Sequence, residues 1–242
     1  MGRLKRYFFP EIDSTQSLLR SWTEEGYCSS DILVWTHHQR AGYGRKGTPW
    51  LSTPGESLTF SFLLHEVISP RTLSARVALA LYDVVSLYAE HPIALKWPND
   101  LWAAPRPLGK LAGILTELRW AGEKPLYAIV GVGLNVYQRS FPPELCALSL
   151  TQIGKPPPSL ERLMDEFEIY FERWGNATEA QVRQAFIQRA WRTGTLNMSE
   201  ERLPARLVGW NEADELLFET SRDIYRLPVS EADIRWQVRF SV

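Results

Sequence analysis

The chain has 242 residues, of which 45% are hydrophobic and 23% are charged, and its net charge is −1 at pH 7. These values are ordinary for a globular protein, and the length allows one large domain or a large domain and a small one. The near-zero net charge argues against nucleic acid as the main partner.

Nothing in the sequence indicates export, a membrane span or a metal framework. Met1 leads into a short basic stretch with no long apolar run behind it, so we expect no signal peptide. No stretch reaches the ~18 apolar residues of a membrane span. Cys28 and Cys146 belong to no Cys/His cluster, so neither a disulfide framework nor a zinc site is expected. We therefore predict a cytoplasmic protein without membrane contact.

Hydrophobic periodicity predicts three strands and two helices in the first 90 residues. Pro10 is expected to stop the first strand. Asp13 or Ser14 would cap the first helix, which ends near Gly26. In order, we predict a strand at residues 7–9, a helix ending near 26, strands at 32–35 and 58–64, and an amphipathic helix at 73–88.

The second half begins with strands and continues with helices. Thr178 starts the second of these helices, with Gln181 three residues on as a candidate capping box. From about residue 195 short strands and turns return, with a hairpin around residues 211–215. We predict a mixed α/β domain over residues 1–194 and a small, mostly β domain over 195–242. The elements are strands at 93–97, 112–118 and 127–132, helices at 160–174 and from 178, and strands at 206–210, 216–219 and 225–229.

The loop at residues 39–50 combines three glycines with three cations and has no apolar periodicity. Such a loop can bring backbone N–H groups close to an anion. Arg45 can bind a carboxylate or phosphate with two parallel hydrogen bonds, and Lys46 offers a mobile charge. A solvated surface loop explains the pattern equally well, because glycine-rich motifs often match by chance.

Lys-Trp-Pro-Asn-Asp at residues 96–100 is the second cluster. It is either an ordinary Asx turn or a site with Lys96 near phosphate and Asp100 near Mg²⁺. Lys110, which follows a glycine, is the lone charge entering an apolar run. That lysine is either a solvated edge residue or a group that neutralises charge on a phosphate during attack.

Gly131 and Gly133 form the third cluster and lie two positions apart in a predicted strand. The spacing indicates close approach by something else, either a neighbouring strand or a ligand. Trp50 ends the glycine-rich loop and would either cover an adenine ring or fill the core. For an isolated tryptophan the core is the more common location.

In this order and spacing, the clusters resemble the catalytic and C-terminal parts of bacterial biotin protein ligases. The resemblance implies a mixed-sheet α/β (α+β) catalytic domain like that of class II aminoacyl-tRNA synthetases, followed by a small SH3-like β domain. It also implies a two-step reaction. Biotin attacks MgATP to give biotinyl-5′-AMP, and a lysine of the biotin carboxyl carrier protein then takes the biotinyl group. The motifs are Ser-Thr-Gln at 14–16, the loop at 39–50, Lys-Trp-Pro-Asn-Asp at 96–100, residues 110–115 with Glu117, and residues 131–135.

The same resemblance implies a role for each matching position. Lys110 and Arg45 would be the catalytic cations, and Asp100 would lie near the Mg²⁺. The implied biotin-binding residues are Ser14, Thr15, Gln39, Gly42, Lys110, Gly113, Leu115, Gly131 and Gly133, and the implied nucleotide-binding residues are Arg45, Lys46, Trp50, Lys96, Asn99 and Asn135.

Tyr43 is the main departure from the family pattern. The family loop commonly reads Gly-Arg-Gly-Arg, whereas this chain has Gly-Tyr-Gly-Arg at residues 42–45. We expect the exchange of arginine for tyrosine to affect how tightly the adenylate is retained. Lys46 is a candidate to compensate for the lost charge. Some members carry an N-terminal DNA-binding domain, but the first motif here begins at Ser14, so we expect no DNA binding.

Two other functions remain as alternatives to biotin ligation. A lipoate or octanoate ligase or transferase would share the fold, although those proteins lack the Lys-Trp-Pro-Asn-Asp segment. A non-catalytic biotin-binding protein would lack Lys110 or Arg45, and both are present. A requirement for ATP would separate the ligase from an octanoyl transferase. The sequence leaves a homodimer open.

Overall fold

The larger part of the fold is a seven-stranded mixed sheet with the strand order β1-β2-β3-β7-β6-β5-β4. The computed structural model describes residues 4–67, 69–104, 106–198 and 201–238. β1 pairs with β2 in parallel, and the other neighbours are antiparallel. The strands are β1 (Lys5–Ile12), β2 (Ile32–Gln39), β3 (Ser57–Leu64), β4 (Ile93–Lys96), β5 (Asp100–Ala103), β6 (Gly109–Ala121) and β7 (Lys124–Asn135).

Helices cover both faces of this sheet. On one face, Leu19 of α1 packs with Val34 and Leu63 in a small core. On the other face, Leu33 and Phe60 belong to the main core, which includes the apolar sides of the remaining large helices. Because both faces are covered, β2 and β3 consist of nearly continuous apolar residues. The helices are α1 (Thr15–Glu24), α2 (Leu73–Ser86), α3 (Leu150–Ile153), α4 (Leu160–Gly175) and α5 (Glu179–Arg189).

A second, antiparallel sheet of five strands follows, with the order β11-β10-β9-β8-β12. It packs against the larger sheet through aromatic rings. Trp97 meets Phe186 and Trp210 edge to face, at centroid distances of 5.5 and 5.3 Å. Its elements are β8 (Thr193–Met198), β9 (Glu201–Trp210), β10 (Glu215–Thr220), β11 (Ile224–Pro228), α6 (Val229–Arg235) and β12 (Trp236–Val238).

The mixed α/β fold with a C-terminal β sheet is confirmed, as are the Ser14 cap of α1 and the capping box of Thr178 and Gln181. The predicted stop at Pro10 is wrong, because β1 continues to Ile12. Among the described strands β1 has β2 as its single neighbour, and such an edge position tolerates the missing N–H of proline.

Two further differences concern the strands that carry predicted site residues. β6 begins at Gly109 and not at the predicted residue 112, so Lys110 is the second residue of the strand. β5 was not predicted, because the turn signals at residues 98–100 hid a strand that starts at Asp100. Lys96 and Asp100 are paired across the β4–β5 hairpin, which leaves only three residues for the turn. No helix in the described part of the chain is long and apolar enough to span a membrane.

Candidate active site

A cavity of about 310 Å³ lies between the start of α1, the glycine-rich loop and strands β3, β6 and β7. Its volume is in the range of small-molecule sites. It brings together most residues of the three sequence clusters, which lie far apart in the chain. The predicted site residues that line it are Ser14, Thr15, Gln39, Arg45, Lys46, Trp50, Asn99, Asp100, Lys110, Gly113, Leu115, Gly131 and Gly133.

Gly42 and Asn135 do not line this cavity. Gly42 lies behind Gln39, and a Cβ there would come within 2.7 Å of the Gln39 Nε2 atom. Asn135 is buried, and its Nδ2 atom donates to the carbonyl oxygens of Lys110 at 3.3 Å and Leu148 at 3.1 Å. These two residues therefore support cavity residues from behind.

One end of the cavity is polar but uncharged. Ser14 caps α1, where its Oγ accepts from the amide of Ser17 at 3.3 Å. The amide and the Oγ1 of Thr15 donate to the Gln39 Oε1 at 2.8 and 3.0 Å. The Thr15 Oγ1 also lies 2.8 Å from the Oγ of Ser61. Because Thr15 occupies the oxygen of the Gln39 amide, the Nε2 atom of Gln39 remains as a donor.

Gln16 completes this uncharged end. Its Nε2 donates to the Glu117 Oε2 at 2.9 Å and to the Ile129 carbonyl at 3.2 Å. Its Oε1 is buried and has no hydrogen-bond partner among the described residues. The amide lies over Gly131, where a Cβ would be 2.7 Å from that oxygen. The end thus offers a donor, an acceptor and hydroxyl groups, which suits a ligand that carries both a carbonyl and N–H groups.

Trp50 forms a wall of the cavity and does not lie in the protein core. Gly113 and Gly133 are paired across β6 and β7. A Cβ on Gly133 would lie 2.4 Å from the indole ring of Trp50, and one on Gly113 would lie 3.3 Å away. The close approach that the glycine spacing predicted is therefore made by side chains, namely Trp50 at Gly133 and Gln16 at Gly131.

The opposite end of the cavity is charged. The Lys110 Nζ forms an ion pair with the Asp100 Oδ1 at 2.8 Å. The Arg45 Nη1 donates to the Asn99 Oδ1 at 3.3 Å, and the Asn99 Nδ2 donates to the Ile114 carbonyl at 2.8 Å. Among the described residues that line the cavity, Asp100 carries the one carboxylate. No group of three or more His, Cys, Asp or Glu side chains in the described chain could hold a metal ion.

Lys96 lies just beyond this charged end. It lines an adjoining cavity of about 450 Å³ that shares Arg45 and Asp100 with the first, and its Nζ lies 4.4 Å from the ring centroid of Trp102. Burial lowers the pKa of Lys96 below its ordinary value of 10.5; Asp100 opposes this shift and Lys110 adds to it. Three cations around one carboxylate favour an anionic ligand.

Residues 8–135 match the biotin/lipoate A/B protein ligase family, and they make up more than half of the chain. The chain belongs to the biotin/lipoate A/B protein ligase family. The match covers α1, the glycine-rich loop and the strands that form both ends of the cavity.

Two curated relatives and one solved structure show which members of this family the chain resembles. A biotin–[acetyl-CoA-carboxylase] ligase of Mycobacterium tuberculosis is 34% identical over 69% of this chain and 64% of its own length. The ligase of the same name from Paracoccus denitrificans is 30% identical over 69% of this chain and 73% of its own length. The chain thus spans less than two thirds of the first relative. Biotin protein ligase from Aquifex aeolicus, solved with biotin and ATP, is similar with a TM-score of 0.74, 26% identity and coverage of 92% and 95%.

The family loop folds back on itself beside the cavity. Tyr43 pairs with Pro49, and the amide of Trp50 donates to the Gly42 carbonyl at 2.9 Å. At the tip, Gly47 has a φ of 74°, in the left-handed region that glycine tolerates best. The loop is therefore a compact hairpin whose tip, residues 46–49, is exposed.

Nine residues that line the cavity were not predicted as site residues, among them Gln16, Tyr43 and Ser61. Gln16 was noted only as part of a motif, because its fixed amide depends on Glu117, which is distant in sequence. Ser61 did leave a signal, since β3 has small polar residues at 57, 59 and 61 between buried apolar ones. A polar residue at every second position of a fully buried strand needs partners, and a site can supply them.

Proposed function

We propose that this protein is an ATP-dependent ligase that activates biotin as biotinyl-5′-AMP and transfers it to a lysine of a biotin carboxyl carrier protein. The observation that carries the proposal is the polarity of the cavity. One end is uncharged and complementary to a cyclic urea, and the other is cationic. Biotin has a ureido group at one end and a carboxylate at the other, with apolar atoms between.

Binding of biotin would use both ends of the cavity. The Gln39 Nε2, Ser14 and Thr15 would meet the ureido group, and Leu115 would contribute to the wall along the apolar middle. Gly113, Gly131 and Gly133 would keep that wall free of further side chains. A site of this kind, mostly apolar with a few placed polar groups, is typical for small ligands. The names of the ligases from M. tuberculosis and P. denitrificans, and the biotin and ATP in the A. aeolicus structure, support the same ligand.

Adenylation must bring a carboxylate against a triphosphate, and the cationic end offsets their repulsion. Lys110 would turn from Asp100 toward the biotin carboxylate and the α-phosphate, with Arg45 beside it. Asp100 is then released from its ion pair. Magnesium arrives with ATP and is usually bound through one or two carboxylates and the phosphates, so Asp100 fits a role beside the metal of MgATP.

Nucleotide binding would use the outer part of the same end. Lys46 and Asn99 face the cavity, and Lys96 lines the adjoining one. Trp50 is a half-buried aromatic ring in the cavity wall, which suits contact with an adenine. Asn135 would act indirectly, through its hydrogen bond to the Lys110 carbonyl.

Transfer requires that the carrier lysine reach the adenylate while water does not. The loop hairpin that contains Gly42 and Arg45 lies over the cavity and would exclude water from the anhydride.

We further propose two domains, residues 1–194 and 195–242, and a cytoplasmic location. The start of the second sheet at Thr193 supports the first point, and the two unpaired cysteines support the second.

The test is the intact mass of a biotin carrier domain after incubation with this protein, biotin and MgATP, beside a reaction without ATP. We expect a gain of one biotinyl group that requires ATP. Parallel reactions with lipoate and octanoate test the nearest alternative, and modification by either acid in place of biotin would overturn the proposal. Biotin binding without modification of any carrier would favour the non-catalytic alternative.

A further inference from the structure

A continuous set of hydrogen bonds connects the uncharged end of the cavity to the glycine-rich loop. Gln16 donates to the Glu117 Oε2 at 2.9 Å. The Arg20 Nη2 donates to both oxygens of Glu117 at 2.6 and 2.7 Å. The same Nη2 donates to the Tyr43 Oη at 2.9 Å. Tyr43 is the residue that replaces a cation of the common family loop. Its hydroxyl accepts a hydrogen bond from Arg20, which a cation at the same position would not do.

Local geometry explains how three separate elements meet here. Gln16 and Arg20 lie four residues apart on α1, so they share one face of the helix. Glu117 lies two residues beyond Leu115 on β6, so it points to the same side as that cavity residue. Tyr43 reaches Arg20 from the loop. The network therefore joins α1 and β6 at the Glu117 carboxylate and reaches the loop through Arg20.

Glu117 determines which way the Gln16 amide faces. An ionised carboxylate only accepts hydrogen bonds, and the second neighbour of the amide is the Ile129 carbonyl, which also only accepts. The amide nitrogen must therefore face these two oxygens, and the Oε1 faces away from them. The charge-assisted bond to Glu117 also raises the pKa of Arg20, so the guanidinium stays charged.

We propose that Glu117 and Arg20 are positioning residues that couple recognition of a ligand N–H group to the position of the loop. Glu117 holds the Gln16 Oε1 as an acceptor for one ureido N–H, and Arg20 connects the same carboxylate to Tyr43. The inference rests on the proposed function and names groups beyond those that would touch biotin and ATP.

The network also bears on the choice of ligand. The Oε1 of Gln16 is buried and lacks a partner among the described residues. A ligand with an N–H group satisfies it, whereas lipoate or octanoate leaves it unpaired. A site strongly rejects a ligand that leaves one of the site's buried polar groups unpaired. Glu117 would thus contribute to selectivity for a cyclic urea without contacting it.

The experiment measures biotin binding by calorimetry for the wild type, Glu117→Gln, Arg20→Met, Arg20→Lys and Tyr43→Phe. Matched controls are Glu123→Gln, an exposed glutamate in the β6–β7 turn, and Tyr27→Phe, an exposed tyrosine. A second ligand is biotin methylated on both ureido nitrogens, which has no N–H to donate. The lifetime of the bound adenylate is measured in parallel.

In Glu117→Gln the new amide can donate toward Gln16, so only the Ile129 carbonyl still holds the Gln16 nitrogen and the Oε1 is less firmly fixed toward the ligand. We expect its Kd for biotin to rise roughly ten- to a hundredfold, with little change for the methylated analogue. Tyr43→Phe should raise the Kd for biotin less than Glu117→Gln does and should shorten the adenylate lifetime about fivefold. Arg20→Met should shorten that lifetime similarly, and Arg20→Lys should restore part of it.

Several results would overturn the inference. One is a Glu117→Gln variant that binds biotin as tightly as the wild type, and another is an equal loss for biotin and its methylated analogue. Equal adenylate lifetimes in Tyr43→Phe and Tyr27→Phe would remove the loop from the coupling. Arg20 and Glu117 are both partly exposed, so these variants should fold, and a thermal melt checks this. A wild type that binds no biotin would instead refute the proposed function.

Discussion

The two ends of the cavity are built in different ways. At the uncharged end, Ser14, Thr15 and Ser61 are at most 4% exposed and are held by hydrogen bonds among α1, β2 and β3. At the charged end, the side chains of Lys110 and Asp100 are 29% and 16% exposed and bind each other. The first end is preorganised for a neutral ligand group, whereas the second must exchange partners when an anion enters.

Physical chemistry explains the contrast. Neutral polar groups can be buried at low cost once each is hydrogen-bonded. Isolated charges cannot, so Lys110 and Asp100 neutralise each other until a ligand brings its own charge. The comparison implies that substitutions at the uncharged end alter biotin affinity, whereas those at the charged end alter adenylation.

The largest expected effect is at Lys110. Replacement by alanine removes the cation that we propose contacts the reacting carboxylate and phosphate, so adenylate formation should fall by about 10³-fold or more. Biotin-dependent exchange of pyrophosphate into ATP measures this step, and circular dichroism checks the fold. Lys124→Ala, at an exposed position in the β6–β7 hairpin, is the control. Near-normal exchange in Lys110→Ala would remove that lysine from the mechanism.

Gly133→Ala tests whether Trp50, in the cavity wall, affects ligand binding at both ends of the cavity. The new Cβ would lie 2.4 Å from the Trp50 ring, so the indole must move. We expect both the Kd for biotin and the KM for ATP to rise, each by roughly tenfold to a hundredfold. A thermal melt of Gly133→Ala checks that the sheet still folds. An effect on one ligand alone would show that Trp50 serves only one end.

Thr15→Val should distinguish most clearly between the roles of the two ends of the cavity. The change keeps the shape but removes the hydroxyl that lies near Gln39 and Ser61. Biotin affinity should fall about tenfold, while the KM for ATP stays within about twofold. Thr23→Val, on the same helix but bonded to the Leu19 carbonyl, provides the comparison. A matching rise in the KM for ATP would contradict the division of the cavity.

The smallest effect concerns pH and the charged end. Burial lowers the folded-state pKa of Lys96, so the unfolded chain binds more protons just below pH 10.5. The free energy of unfolding of the wild type should therefore rise relative to Lys96→Met as the pH increases through the lowered pKa toward 10.5. Urea unfolding of both proteins at several pH values measures the difference. A difference that is constant with pH would mean that Lys96 is not desolvated.

Local signals in the sequence predicted most elements because each rests on neighbouring residues. The Ser14 cap, the capping box of α5 and the hairpin of the second sheet depend on contacts within a few positions. β5 and the extension of β1 past Pro10 escaped prediction, because strand bounds depend on which partner lies alongside. Pairing partners are set by the whole sheet and not by the segment itself.

The sequence alone determined the mixed α/β class, the three polar clusters and, through a family resemblance, the residues expected to bind biotin and ATP. The class and the clusters follow from periodicity and from the residues along the chain, whereas the expected binding residues follow from the resemblance alone. Only the tertiary structure decided that Lys110 pairs with Asp100, that Trp50 fills the space over Gly133, and that Glu117 connects Gln16 to Tyr43 through Arg20. Each of these contacts joins residues distant in sequence, so it arises only when the sheet brings them together.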